Sequence, residues 1–191
     1  MAPAVSFVGW SNSGKTTFIS KVIRELKSRE ISVAVVKNTC HDIETDIPGK
    51  DTWNFAQAGA DTVILNGPGI YVCQEKVSRR KDISTILKDI TGVDIIILEG
   101  AADPNIPKVE IWRKSLGEKN RFPAEDLIAL VAEGHPEKGY EKLPLFKHNE
   151  IGEFTDFLLY SAGLAKRPYK KKFRDNLSFI PLLGKISLKF K

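Results

Sequence analysis

Apolar and polar positions along the chain alternate between two periods. Val5-Ser6-Phe7-Val8 is a short apolar run of strand length. Over Thr17–Glu30 the apolar residues Phe18, Val22, Ile23 and Leu26 recur at helical spacing, with Lys21, Arg24, Glu25 and Arg29 between them. Ile31–Lys37 is β-branched and mostly apolar, which predicts a strand covered on both faces. A polar loop follows over Asn38–Lys50, and then a short helix that Asp51 is expected to cap and that ends near Gly59. Trp53 and Phe55 are expected to pack that helix. Thr62–Leu65 and Ile70–Gln74 read as strands around the turn Asn66-Gly67-Pro68-Gly69.

The second half repeats the scheme. Asp82 is placed to cap a helix over Ile83–Ile90, and Val93–Leu98 (VDIIIL) is the most apolar strand, expected to be central. Lys108–Arg113 (KVEIWR) alternates, predicting a strand with one wetter face. Leu127–Ala132 is a further buried strand, and Ile151–Leu159 a last helix with Phe154, Phe157 and Leu158 inward. Strands alternating with helices predict an α/β fold, a doubly wound and mostly parallel sheet. The expected organisation is one main domain over 1–164 and a basic extension over 165–191, with a small hairpin across Pro181–Gly184.

Composition adds limits. Apolar residues make up 42% and charged residues 28% of 191, ordinary for a globular chain. No apolar run approaches the ~18 residues of a membrane span. MAPAVSFVGW has no basic leader, and the two cysteines, Cys40 and Cys73, do not make a disulfide framework; a cytoplasmic protein is expected. The net charge of +5 belongs to the tail: nine basic residues face one acidic residue over 161–191, leaving 20 against 23 over 1–160. Membrane binding is not expected of the main domain, nor nucleic-acid binding.

Three clusters carry chemistry. Between the first strand and first helix, Gly9-x-x-x-x-Gly14-Lys15-Thr16 has the GxxxxGK[ST] pattern of a phosphate-binding loop. Its glycines permit a tight turn whose N–H groups face phosphate oxygens, here with Asn12 and Ser13 between them. Lys15 supplies an ammonium for the β and γ phosphates, the Thr16 hydroxyl a ligand for Mg²⁺, and the helix its positive end. Thr17 is a further hydroxyl beside them. The second cluster starts at the carboxyl end of the second strand, the sheet edge where the phosphate loop also lies. There Lys37 is a candidate for the γ-phosphate, and Asp42, Glu44 or Asp46 for holding Mg²⁺ or orienting water. The third is Glu99, ending the VDIIIL strand before Gly100, placed to join Thr16 at the metal. Within these motifs no arginine is evident for the phosphates; Arg113 or Arg121 of a second copy are the candidates. Trp10 is placed either to shield a nucleotide or to pack on a neighbour. The stretch after Leu127–Ala132, Glu133-Gly134-His135-Pro136, lacks the Asn/Thr-Lys-x-Asp motif that reads guanine, so these residues alone do not choose GTP over ATP.

With those residues in view, the chain resembles the MobB family. GWSNSGKTT, DIIILEGA and KVEIWR carry part of the likeness. The most specific part is Lys37, His41, Asp46, Pro48-Gly49-Lys50-Asp51-Thr52 and Ala58-Gly59-Ala60. The likeness spans about 4–160 and departs at Asn38-Thr39-Cys40-His41, where the family is histidine-rich. The resemblance implies a P-loop domain, a homodimer, and GTP binding with slow Mg²⁺-dependent hydrolysis. It also implies an adaptor role toward a separate, MobA-like nucleotidyltransferase that attaches GMP to molybdopterin. A more distant likeness to dethiobiotin synthetase implies that Thr16, Asp42 or Asp46, and Glu99 share Mg²⁺, with Lys37 on phosphate. It keeps open an ATP-dependent small-molecule kinase or ligase.

Overall fold

The computed structural model describes residues 1–116, 119–134, 136 and 138–165; the basic extension and its hairpin lie outside them, apart from Ala165. Two compact units are present, Thr39–Thr85 and the rest of the chain.

The larger unit is built on six strands: β1 (Ala4–Val8), β2 (Val33–Lys37), β5 (Ile95–Glu99), β6 (Lys108–Arg113), β7 (Leu127–Glu133) and β8 (Leu145–Phe146). Their order is β2-β5-β1-β6-β7-β8, and every pairing is parallel. The expected α/β fold with a parallel sheet is therefore what forms. All carboxyl ends share one edge, with the phosphate loop near its middle.

Two helices, α1 (Lys15–Ser28) and α4 (Ile151–Ser161), pack on the sheet face formed by Val5, Phe7, Ile95, Ile97, Val109, Ile111, Ala129 and Val131. Phe18 of α1 and Phe154 and Phe157 of α4 fill the space, with Phe18 and Phe154 ring centroids 5.0 Å apart in an edge-on contact. Edge-to-face packing puts the positive ring edge against the negative face of its neighbour. Arg29 ties the helices at their rim, donating to Asp156 Oδ1 at 2.5 Å and to Glu25 Oε1 at 2.9 Å.

Two strands differ from expectation. β6 has no wetter face: Lys108 and Glu110 are buried, because β6 lies between β1 and β7 and connecting segments cover its second face. Lys108 Nζ donates to Ile106 O at 3.2 Å. Conversely β2 is not covered on both faces. It is an edge strand, and Val35 is half-exposed. β5 is interior, one place from that edge. The two-residue β8 was not expected at all.

In the smaller unit, β3 (Thr62–Gly67) and β4 (Ile70–Glu75) form a two-stranded sheet among the described residues, an antiparallel hairpin closed by Pro68-Gly69. Before them, α2 (Asp51–Gln57) begins one residue earlier than Asp51 as a cap requires. Lys50 holds the cap position, and Asp51 is the first helical residue, where its charge complements the helix dipole. No residue of α2 is buried and Phe55 is 59% exposed, so the expected packing role does not hold for it. Cys40 and Cys73 are exposed, free thiols. A last short helix, α3 (Ile83–Asp89), crosses the boundary between the units and buries Leu87. Among the described residues no helix is long and apolar enough to cross a membrane.

Candidate functional site

The loop Gly9–Gly14 joins β1 to α1. Its two glycines are required for different reasons. Gly9 has φ +132°, and a Cβ there would stand 2.3 Å from the Ile111 carbonyl oxygen of β6. Gly14 has φ +91° and lies against the Arg113 guanidinium, which a Cβ would meet at 3.0 Å. Asn12 is also left-handed, at φ 62°, a conformation that asparagine tolerates better than most residues. The loop therefore sits directly on β6.

A cleft of about 480 Å³ opens above it, lined by Ser11, Asn12, Gly14, Lys15, Thr16, Thr17, Lys37, Glu99 and Arg113. Most of the residues that the sequence singles out thus meet. Lys15 folds back on its own loop, donating to the carbonyls of Trp10 at 2.6 Å and Gly9 at 3.0 Å. The Thr16 hydroxyl donates to Glu99 Oε1 at 2.9 Å, and Lys37 Nζ stands 3.6 Å from the same oxygen. Lys37 and Glu99 are register partners on neighbouring strands, so the sheet itself places this pair.

Gly9 and Ser13 are buried and are not among the residues that line the cleft. The Ser13 Oγ has no hydrogen-bond partner among the described residues. Asp42 and Asp46 belong to the smaller unit, in the irregular segment before α2. Asp42 is exposed; Asp46 accepts the Ile47 N–H at 2.8 Å.

Sequence reasoning missed the role of β6. Arg113, considered only as a contribution from a second copy, lines the cleft of its own chain. Its strand register supplies the signal in hindsight. Arg113 follows Val109 and Ile111 at even spacing on the face that carries α1. Arg121 approaches from the segment after β6. Its guanidinium lies 5.3 Å from the Trp10 ring centroid, a cation–π contact, and Trp10 Nε1 donates to Lys119 O at 2.7 Å. Trp10 therefore packs on a neighbouring segment of its own chain. That segment is held from below: buried Glu110 accepts the Arg121 N–H at 2.6 Å and an Asn120 Nδ2–H at 3.3 Å. Burial raises the Glu110 pKa, and these hydrogen bonds, with that of Phe122 N–H and the charge of Arg121, oppose the rise.

Cations dominate the cleft. Burial lowers the Lys15 pKa; Glu99 opposes that shift, while Arg121 and Lys37 add to it. An ammonium pressed downward by burial and two like charges gains when a polyanion enters. His148, after β8, was not anticipated. Its ring meets Phe18 edge-on at 6.2 Å. Burial lowers its pKa, Arg113 adds to this, and the Ser13 backbone and Glu133 oppose it.

The donor set fits Mg²⁺ as a ligand of nucleotide and protein together. A threonine hydroxyl and a carboxylate in contact are hard oxygen donors. Mg²⁺ is commonly held by one or two such groups plus substrate phosphates and water. Among the described residues no group of three or more His, Cys, Asp or Glu forms an all-protein metal site.

The family described as Molybdopterin guanine dinucleotide synthesis protein B, MobB, matches residues 4–149. The chain belongs to the MobB family. The molybdopterin-guanine dinucleotide biosynthesis adapter protein of Haemophilus influenzae is 29% identical over 158 residues, 82% of this chain and 87% of the relative. The probable adapter protein of Bacillus subtilis is 30% identical over 165 residues, 82% and 91% of the two chains. The crystal structure of Bacillus subtilis MobB superposes with a TM-score of 0.67 at 27% identity, covering 83% of this chain and 96% of that one. The MobB homologue of Bacillus stearothermophilus shares the fold, with a TM-score of 0.62 at 20% identity over 85% and 99%.

Proposed function

We propose that this MobB-family protein binds GTP with Mg²⁺, hydrolyses it slowly, and serves as an adapter in molybdopterin-guanine dinucleotide synthesis. Its partner on this reading is a MobA-like nucleotidyltransferase, and it works as a homodimer. The observation that carries the nucleotide reading is the contact of Thr16 with Glu99 beside Lys15, in a cleft whose other charged residues are the cations Lys37 and Arg113.

Lys15 exchanges its two loop carbonyls for phosphate oxygens, and the loop N–H groups donate to the remaining oxygens. Lys37 and Arg113 approach the phosphate chain from opposite sides of the loop, Lys37 from β2 and Arg113 from β6. Thr16 and Glu99 hold Mg²⁺, which when bound neutralises charge developing on the phosphate oxygens. Among the described residues Glu99 is the one carboxylate lining the cleft. A carboxylate engaged at a metal is not free to take a proton from water, so slow hydrolysis is expected.

The adapter reading is supported by family membership and by the names of the relatives. The dimer reading is supported by the resemblance and by the hairpin of the smaller unit, which exposes Ile64, Leu65, Ile70, Tyr71 and Val72.

The test is a calorimetric titration of the purified protein with GTP and ATP, with and without Mg²⁺, followed by measurement of released phosphate. Tight GTP binding, weaker ATP binding and slow release are expected, with binding lost in Lys15→Ala. Equal GTP affinity in parent and Lys15→Ala would overturn the reading. ATP preference, with phosphate released only to an added acceptor, would replace it with a kinase.

A further inference from the structure

Arg113 lines two clefts. One is the phosphate cleft above Gly14 and Lys15. The other, of about 740 Å³, opens where β7 and β8 end, and Lys21, Glu133, Phe146, His148 and Asn149 help to line it. The two are joined at a single guanidinium.

The direction of a bound nucleotide follows from this arrangement. The Thr16–Glu99 contact lies on the β5 side of the loop, which fixes the metal and the terminal phosphates there. The nucleoside end must then leave on the other side, across β6 and past Arg113. Strands in a sheet lie ~4.8 Å apart, so the ends of β7 and β8 stand roughly 10 and 14 Å from that of β1. A nucleoside carried on phosphates at Lys15 spans that distance. It meets a cleft with apolar walls from Ala132, Leu145 and Phe146.

One side chain at this place discriminates between bases. Glu133 ends β7, is mostly exposed, and is the register partner of Arg113. Its carboxylate stands 3.9 Å from Arg113 Nε, too far for a close pair, so its oxygens remain open to a ligand. A carboxylate only accepts hydrogen bonds. Guanine presents two adjacent donors, N1–H and the 2-amino group, which one carboxylate accepts together. Adenine presents a lone pair at N1 and no donor at C2, so the same carboxylate repels it. Lys21 and Lys147, also in the lining, are cations suited to the guanine O6.

We propose that this second cleft receives the base of the nucleotide whose phosphates bind Lys15 and Thr16, and that Glu133 reads guanine. The proposal rests on the phosphate-loop reading above and adds to it the base and the residue that selects it. It also assigns base reading to a glutamate outside the usual Asn/Thr-Lys-x-Asp stretch.

The experiment is a Mg²⁺-dependent titration of the full chain and of Glu133→Gln with GTP, ATP, ITP and XTP. Xanthine carries a carbonyl where guanine carries the 2-amino group, and an amide pairs with that edge as a carboxylate pairs with guanine. A bidentate pair is worth about 10-fold or more in discrimination. The parent should rank GTP about 10-fold or more above ATP and XTP, with ITP between. Glu133→Gln should lose about 10-fold for GTP, gain a similar factor for XTP and leave ATP unchanged. An unchanged ranking in Glu133→Gln overturns the base assignment and leaves the phosphate loop standing. Equal weakening of all four nucleotides also overturns it, since that places Glu133 at Arg113 and the phosphates. A parent that binds none of the four removes the phosphate-loop reading itself, and this proposal with it. Lys15→Ala, which should weaken all four alike, separates the two kinds of loss.

Discussion

The same substitution at the two loop glycines should have unequal costs. In Gly9→Ala the backbone must hold φ near +132°, a conformation that costs a residue with a side chain about 1–3 kcal/mol. The added Cβ also stands 2.3 Å from Ile111 O, where ordinary contact begins at 3.4 Å. That oxygen belongs to an interior strand and cannot retreat, so the loop itself must move by about 1 Å. Together these terms give roughly 3 kcal/mol or more, in the upper range for single substitutions. Gly14→Ala meets only the end of the Arg113 side chain, which can swing away, so its cost is the backbone term of roughly 1.5 kcal/mol. Equilibrium unfolding in urea, without nucleotide, measures the difference. With a slope of about 2–3 kcal/mol per molar for a chain of this size, Gly9→Ala should unfold at least ~0.5 M below Gly14→Ala. Coincident midpoints, or Gly14→Ala the weaker, would refute the contact of Gly9 with β6.

Phe154→Ala should destabilise by about 3–5 kcal/mol, because the ring is fully buried among Phe7, Phe18, Phe146 and Phe157; thermal or urea unfolding reads it directly. His148 has a folded pKa below its unfolded value of 6.5, so the unfolded chain takes the proton first. Stability should be full above pH 6.5, fall as pH drops through 6.5 toward the folded value, and then level off; His148→Gln should flatten that slope between pH 7.5 and 5 in urea midpoints. Glu99→Gln should lower Mg²⁺-dependent phosphate release by more than it lowers GTP affinity, and equal release in the two proteins would take Glu99 out of the site.

The phosphate loop was legible because its pattern is local: nine consecutive residues carry glycines, lysine and hydroxyls between a strand and a helix. Lys37 and Glu99 were legible one step further away, since each ends an apolar run and parallel strands end at one edge. Arg113 needed a fact the sequence does not contain, that β6 is the neighbour of β1. KVEIWR misled for a related reason. Its alternating polar positions suggest water on one face, yet both are buried: Glu110 accepts from Arg121 in the segment after the strand, and Lys108 donates to the Ile106 carbonyl just before it. Exposed Phe55 misled in the opposite sense, an aromatic at helical spacing on a helix that buries nothing. Among Asp42, Glu44 and Asp46 the sequence makes no choice.

Buried Glu110 has a consequence for the rate and entropy of ligand capture. It holds the segment 119–121, in which the Lys119 carbonyl accepts the Trp10 Nε1–H and Arg121 makes a cation–π contact with the Trp10 ring, and Trp10 lies at the start of the phosphate loop. Ordering one residue of backbone costs about 1–2 kcal/mol, and a floppy loop would draw that from the binding of each nucleotide. Here the flank is already fastened in the folded chain, so the ordering is met once, during folding, and an arriving triphosphate finds its cradle preformed. Loosening Glu110 would then appear as slower capture and weaker affinity for every nucleotide, whatever its base.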